Sequence, residues 1–260
     1  MLPVWLTDTV TSDLDRALHY TLLWGLEGVV LRTVGGPADR VPHVNEVRLK
    51  RRLSEHELPA VAVDPGLFEQ PAEQRSVWMN DLVLLDETAA FCERIGCERI
   101  LVGALPGAVE TAVDALRRAG ARAARRGCTL AVRNNAEGRA TGRALADVLE
   151  AVGHPAVRAC WSPADGFQAE EEAAAGLDAL GEWVDVVMVR DGRPTAAGWQ
   201  LEPLGEGAVG WPDVLRTLSA RGFDGPLCLD LRDIESAPDG LHESTTLIRM
   251  ARAAARAAKL

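Results

Sequence analysis

Arginine and aspartate stand where this chain could do chemistry. The stretch CTLAVRNNAEG, Cys128 to Gly138, reads as a buried strand that ends in Arg133 and runs into a polar loop. Other short apolar runs end at Arg32 (GVVLR), at Arg190 (VDVVMVR) and at Asp230 and Arg232 (LCLDLR). A guanidinium fork grips carboxylate or phosphate through paired hydrogen bonds and needs no metal to do so. Asp165, Asp191, Glu206 and Asp230 are available to orient such forks. Two outcomes follow: a pocket for a small anionic or polyhydroxylated ligand, or ion pairs among these same groups that close the site.

The elements that must position these residues alternate along the chain. Short apolar runs at Val4–Leu6, Gly28–Arg32, Ala60–Asp64, Arg99–Gly103, Thr129–Arg133, Val157–Trp161, Val184–Val189 and Leu227–Leu231 are separated by amphipathic stretches. The latter include Asn45–His56, Ser76–Ile95, Val109–Arg126 and Ala140–Val152, then AEEEAAAGLDAL, GWPDVLRTLSARG and STTLIRMARAAARAA. Ser12 or Asp13 can cap the first helix, and Pro212 fits a first helical turn. Eight strand–helix units in 260 residues predict an α/β fold, a single (β/α)8 TIM barrel spanning 1–260. No G-x-G-x-x-G follows the first strand, so a dinucleotide-binding sheet is disfavoured. The stretch Gly192–Gly210 reads as a long loop at the exit of strand seven.

Barrel active sites lie at the C-terminal ends of the strands. Strand alternation turns Val30 and Arg32, Arg133, Cys160 and Ser162, Met188 and Arg190, and Cys228, Asp230 and Arg232 to the inner side. Leu130, Val132, Val187, Val189, Leu227, Leu229 and Leu231 then face the helices.

Composition removes several classes of function. The formal net charge of −10 argues against nucleic acid. Lys50 and Lys259 are the only lysines and neither ends a strand, which leaves no Schiff-base or pyridoxal-phosphate lysine. There is no P-loop. Cys92, Cys97, Cys128, Cys160 and Cys228 show no C-x-x-C spacing and read as buried thiols in a reducing compartment. The start MLPVWLTD enters a strand directly, and no signal peptide or membrane span is visible, so the expected location is the cytoplasm.

Further candidates each have a plain structural explanation. Cys160 and Cys228 share the inner side of even strands; they could form a thiol pair or simply fill the core. The GEGAVG segment, Gly205–Gly210, could cradle a phosphate on its amides or be a turn that needs glycine. Trp199 could line a ligand pocket, whereas Trp161 packs under a helix. The runs Glu170–Glu172 and Arg48–Arg52 read as solvated helix faces.

The segments GLEGVVLR, FCERIGCERILVGALPG, AARRGCTLAVRNNAEG, VDVVMVRD and PLGEGAVGWPDVLRTLSARGFDGPLCLDL resemble the xylose isomerase-like barrels, the sugar phosphate isomerases and epimerases. The resemblance runs over nearly the whole chain and implies metal-dependent keto–enol or epimerisation chemistry on a small sugar. It also implies four metal ligands: Glu, Asp, His and Glu on strands five to eight. Here those positions fall on Arg133, Ser162, Met188 and Asp230, with Asn134 and Asn135 after the first, Asp165 after the second, and Arg190 and Asp191 after the third. The acidic residue often found on strand two falls on Val30. One carboxylate does not make a site for a hard cation, and an arginine repels one. None of the five histidines stands at a strand exit.

The expectation is a sugar isomerase/epimerase-like barrel without the family's metal and without another cofactor. Its ligand residues are Arg32, Arg133, Asn135, Ser162, Asp165, Met188, Arg190 and Trp199. If it is catalytic, Asp230 or Glu206 is the base, and Arg133 and Arg190 stabilise the enediolate. The alternative is an inactive homologue that serves as an accessory subunit or ligand-binding protein. The expected partner is a small carbohydrate-like or anionic molecule, not nucleic acid or membrane; a homo-oligomer is left open.

Overall fold

Strands buried on both faces carry apolar residues on both sides, and the eight short runs do so except at Arg99, Thr129, Arg133, Arg158 and Asp185, each at or one residue from a strand end. The computed structural model describes residues 1–36, 38–134, 139–232 and 236–258. In order along the chain come β1 (Leu2–Leu6), α1 (Leu14–Leu23), β2 (Val29–Leu31), α2 (Glu46–Glu55), β3 (Ala60–Val63), α3 (Arg75–Ile95), β4 (Arg99–Val102), α4 (Val109–Ala124), β5 (Thr129–Arg133) and α5 (Gly142–Val152). They are followed by β6 (Val157–Trp161), α6 (Pro163–Gln168), α7 (Ala173–Leu180), β7 (Val184–Val189), β8 (Asp191–Thr195), β9 (Gly198–Glu202), α8 (Trp211–Ala220), β10 (Pro226–Leu229) and α9 (Ala237–Ala257). Eight parallel strands close in the order β1-β10-β7-β6-β5-β4-β3-β2, with helices between them: a (β/α)8 barrel.

Alternation divides the core into two shells. Val30, Ala131, Cys160, Met188 and Cys228 pack inside the barrel with Val4, Leu6, Val61, Ala62, Leu101 and Val186. Leu130, Val132, Trp161, Val187, Leu227 and Leu229 pack outward against the helices. Helix starts follow local chemistry: the carboxylate of Asp13 accepts from the Arg16 amide, and Asn45 does the same for Arg48.

Two stretches differ from the sequence reading. Gly192–Gly210 is not a bare loop; β8 and β9 form an antiparallel hairpin there, with Asp191 paired to Glu202 and Thr195 to Gly198. The single helix expected after strand six is two, because Pro163 starts α6 directly behind the Ser162 cap, and the Ala169–Glu172 segment breaks the helix before α7.

Candidate functional site

Acids and arginines stand together at the strand exits around the mouth. Asp8 follows β1, Arg32 follows β2 and Asp64 follows β3; Arg133 ends β5; Asp165 lies in α6 behind β6; Arg190 follows β7; Asp230 follows β10. Four arginines are thus paired around the mouth. Arg32 Nε donates to Asp8 Oδ2 at 2.9 Å. Arg133 Nη2 donates to Asp64 Oδ2 at 3.0 Å. Arg190 pairs with Asp165. Arg232 Nε donates to both carboxylate oxygens of Asp230 at 2.9 Å.

At β4 the exit carries no acid of its own. Arg139, buried, fills that place by donating through Nη1 to the carbonyls of Ala104 (3.2 Å) and Leu105 (2.6 Å), and through Nη2 to that of Gly107 (3.1 Å). Asn134 ties the exit of β5 to that of β6: its Nδ2 donates to Ser162 O at 2.8 Å, and its Oδ1 accepts from Ser162 N at 2.6 Å. Asn135 lies outside the described residues.

Asp64 is as enclosed as Asp230, with 2% of its side chain exposed. It also accepts from the Gly66 amide at 3.1 Å and has Arg40 Nη2 at 3.7 Å. The Asp64 charge, opposed by burial, raises the already high pKa of Arg133 and keeps that guanidinium charged. Arg133 Nε is buried and has no hydrogen-bond partner among the described residues. Burial by itself would raise the pKa of Asp230, but the hydrogen bonds and charge of Arg232, with the charge of Arg190, outweigh it and leave it below the usual carboxylate value.

The other candidates separate from this ring. Ser162 caps α6, its Oγ accepting from Asp165 N, and Met188 lies in the barrel interior. Cys160 and Cys228 are interior as well; burial pushes the Cys160 thiol up to about 12 and Cys228 higher than usual. Asp191 orients no arginine. Its carboxylate takes the amides of Gly205 (2.9 Å), Gly207 (3.2 Å) and Val209 (3.3 Å), the very donors that GEGAVG offered to a phosphate. Glu206 is exposed on that turn. Trp199 lies on the hairpin with its ring 6.0 Å from that of Phe167, beside a groove of about 510 Å³. A second groove, about 340 Å³, opens between the exits of β7 and β10 and α9; Arg190, Asp230, Arg232, His242 and Glu243 line it. The two grooves share no lining residue.

The sequence reading missed Asp8 and Asp64. The same alternation would have found them, since Asp8 continues the inner series Val4, Leu6, and Asp64 follows the inner Ala62.

A family model described as xylose isomerase-like TIM barrel matches residues 20–252. The chain belongs to that family. Among solved structures, the xylose isomerase domain protein from Planctomyces limnophilus is 16% identical with a TM-score of 0.77, the match covering 98% of both chains. A D-tagatose 3-epimerase-like protein superimposes with a TM-score of 0.82 at 12% identity over 100% of both chains. A D-allulose 3-epimerase from Methylomonas sp., in complex with D-allulose, gives 0.76 at 14% identity, covering 96% of this chain and 97% of that one. At such identities these likenesses establish the shared fold. No curated protein matches the chain. Among the described residues no group of three His, Cys, Asp or Glu side chains could hold a metal ion, and no helix is long and apolar enough to cross a membrane.

Proposed function

We propose that this sugar isomerase/epimerase-like barrel binds a neutral polyhydroxylated molecule at its mouth, without the family's divalent metal and without its proton-transfer chemistry. The arginine–aspartate pairs of the mouth carry this reading. A hydroxyl both donates and accepts, so it is matched by carboxylate and guanidinium set side by side. A phosphate wants a net positive site, and here each exit arginine already faces an aspartate. Among the described residues Arg133 Nε is a buried donor without a partner, suited to a ligand oxygen.

The metal positions support the same conclusion. They carry a guanidinium, a helix-capping hydroxyl, a thioether inside the barrel and one carboxylate already gripped by Arg232. Such a set does not fit a hard divalent cation. As for proton transfer, Asp230 is a weakened base because its charged form is favoured, and Glu206 lies exposed on the turn that Asp191 holds. The role that remains is a ligand-binding barrel, and an accessory subunit is the form it would take beside an active homologue.

Titration calorimetry with D-allulose, D-fructose and their phosphate esters, in buffer with and without EDTA, tests this. The expected result is binding of a free ketose that EDTA leaves unchanged and inorganic phosphate does not displace, weakened at least tenfold in Arg133→Ala. Loss of binding in EDTA, retention of about one Mn2+ per chain after desalting, or preference for the phosphate ester would overturn it.

A further inference from the structure

Three of the five cysteines converge at the opposite end of the barrel, far from any exit residue. Cys92 is in the last turns of α3, Cys97 follows that helix, and Cys128 leads into β5. Two helix ends of the same design bring them together. Gly96 (φ 72°) ends α3 in the left-handed conformation, and the Cys97 amide returns to the Cys92 carbonyl at 2.9 Å. Gly127 (φ 70°) does the same after α4, and the Cys128 amide returns to the Ala123 carbonyl at 3.0 Å. In this turn the residue after the glycine packs on the residue that accepts its amide, so Cys97 is laid against Cys92. Parallel pairing of Arg99 with Thr129 sets the entries of β4 and β5 side by side. The Cys128 sulfur then reaches the carbonyl of Ala89, at 3.9 Å, on the α3 turn before Cys92.

Cys92 lies three residues after Ala89, on the same face of α3, and its side chain leans back over that turn, toward the place where the Cys128 sulfur rests. All three side chains are buried, yet Cys128 stands directly behind the exposed segment 124–127. We propose that these cysteines form an oxidisable centre in which hydrogen peroxide converts Cys92 and Cys128 to a disulfide, linking α3 to the entry of β5.

The chemistry balances. The Cys128 thiolate attacks one peroxide oxygen, the O–O bond breaks, and a sulfenic acid forms as the departing hydroxide takes a proton to become water. Cys92 then attacks the sulfenic sulfur; its thiol proton leaves with the expelled hydroxide as a second water. Both electrons lost by the thiol pair end on the peroxide oxygens. The neighbouring Cys92 thiol lowers the Cys128 pKa against the effect of burial, which suits Cys128 as the sulfur that attacks first. The bond would join Cys128 to the helix on which its sulfur already rests. The cross-link would close the loop from residue 92 to residue 128 and so reduce the freedom of the unfolded chain.

The test is native oxidation of the whole protein with hydrogen peroxide, followed by intact mass and peptide mapping. The expected result is a loss of about two daltons per chain, a Cys92–Cys128 linked peptide, Cys160 and Cys228 still reduced, and a raised Tm that dithiothreitol reverses. Cys92→Ser and Cys128→Ser should each abolish the mass loss, and Cys97→Ser should keep it; if one of the first two fails to fold, the other decides. Five free thiols after an exposure that fully oxidises a cysteine-containing peptide in the same tube, or a linked peptide lacking either Cys92 or Cys128, would overturn the proposal.

Discussion

The guanidinium of Arg133 reaches past β4 to hold the carboxylate of Asp64 at 3.0 Å, joining the exits of β3 and β5 across the strand between them. Arg133 has 14% and Asp64 2% of its side chain exposed, so the pair is shielded from screening by solvent.

Breaking that pair from one side should be costly. Arg133→Met leaves Asp64 buried with only Arg40 nearby, at 3.7 Å. The expected loss of stability is roughly 3 kcal/mol, since the penalty is an uncompensated buried charge. The double variant Arg133→Met, Asp64→Asn should recover more than half of it. Urea unfolding of the three proteins checks this; an additive double variant would refute the coupling.

Acid should weaken the fold partly through Asp230. Its folded pKa is lowered from 3.8, so its stabilising contribution is present above the unfolded value and lost as pH falls through the folded one. Removing the Arg232 charge leaves burial as the largest influence, which acts in the opposite direction. Arg232→Gln should therefore reduce or reverse this residue's part of the slope of stability against pH below about pH 5. Thermal melts of both proteins from pH 3 to pH 7 measure it, and superimposable slopes would rule it out.

Asp191 should be the latch of the turn before α8. Asp191→Ala frees the amides of Gly205, Gly207 and Val209, and the expected cost is about 2 kcal/mol. Hydrogen exchange over residues 203–210 should speed up. The freed amides should also make sulfate stabilise the variant more than the wild type. Equal sulfate dependence in the two proteins would mean that these amides are not an anion cradle even when vacated.

Helices α5 and α7 should not tolerate a methyl group between them. A Cβ on Gly142 would stand 2.7 Å from the Gly176 Cα and carbonyl oxygen, backbone atoms that cannot swing aside. Gly142→Ala should cost about 1–3 kcal/mol through forced separation of the helices. An unchanged Tm would show that the gap widens freely.

Much of the mouth was legible before the fold was known. Arg32, Arg133, Arg190 and Asp230 are named by strand alternation alone, because a period of two is a property of the strand and not of its neighbours. Arg190 with Asp165 was likewise readable, as both follow adjacent strands. The hairpin of β8 and β9 was not, since its glycines, proline and polar residues look like loop until Asp191–Thr195 and Gly198–Glu202 find each other. Nor did spacing show that Asp191 would turn away from the arginines to bind amides in its own loop.

By itself the sequence determined the barrel and the two-shell burial, because apolar runs alternating with amphipathic helices leave few other ways to hide both faces of eight parallel strands. It also determined that Arg133 ends one strand, that Ser162 follows the next and that Met188 lies within the one after. Which acid neutralises which arginine was decided only by the tertiary structure. Asp8 and Arg32, 24 residues apart, and Asp64 and Arg133, 69 apart, meet because barrel closure brings strand exits within hydrogen-bond reach, whatever their separation along the chain. The approach of the Cys128 sulfur to α3 has the same origin, at the other end of the barrel.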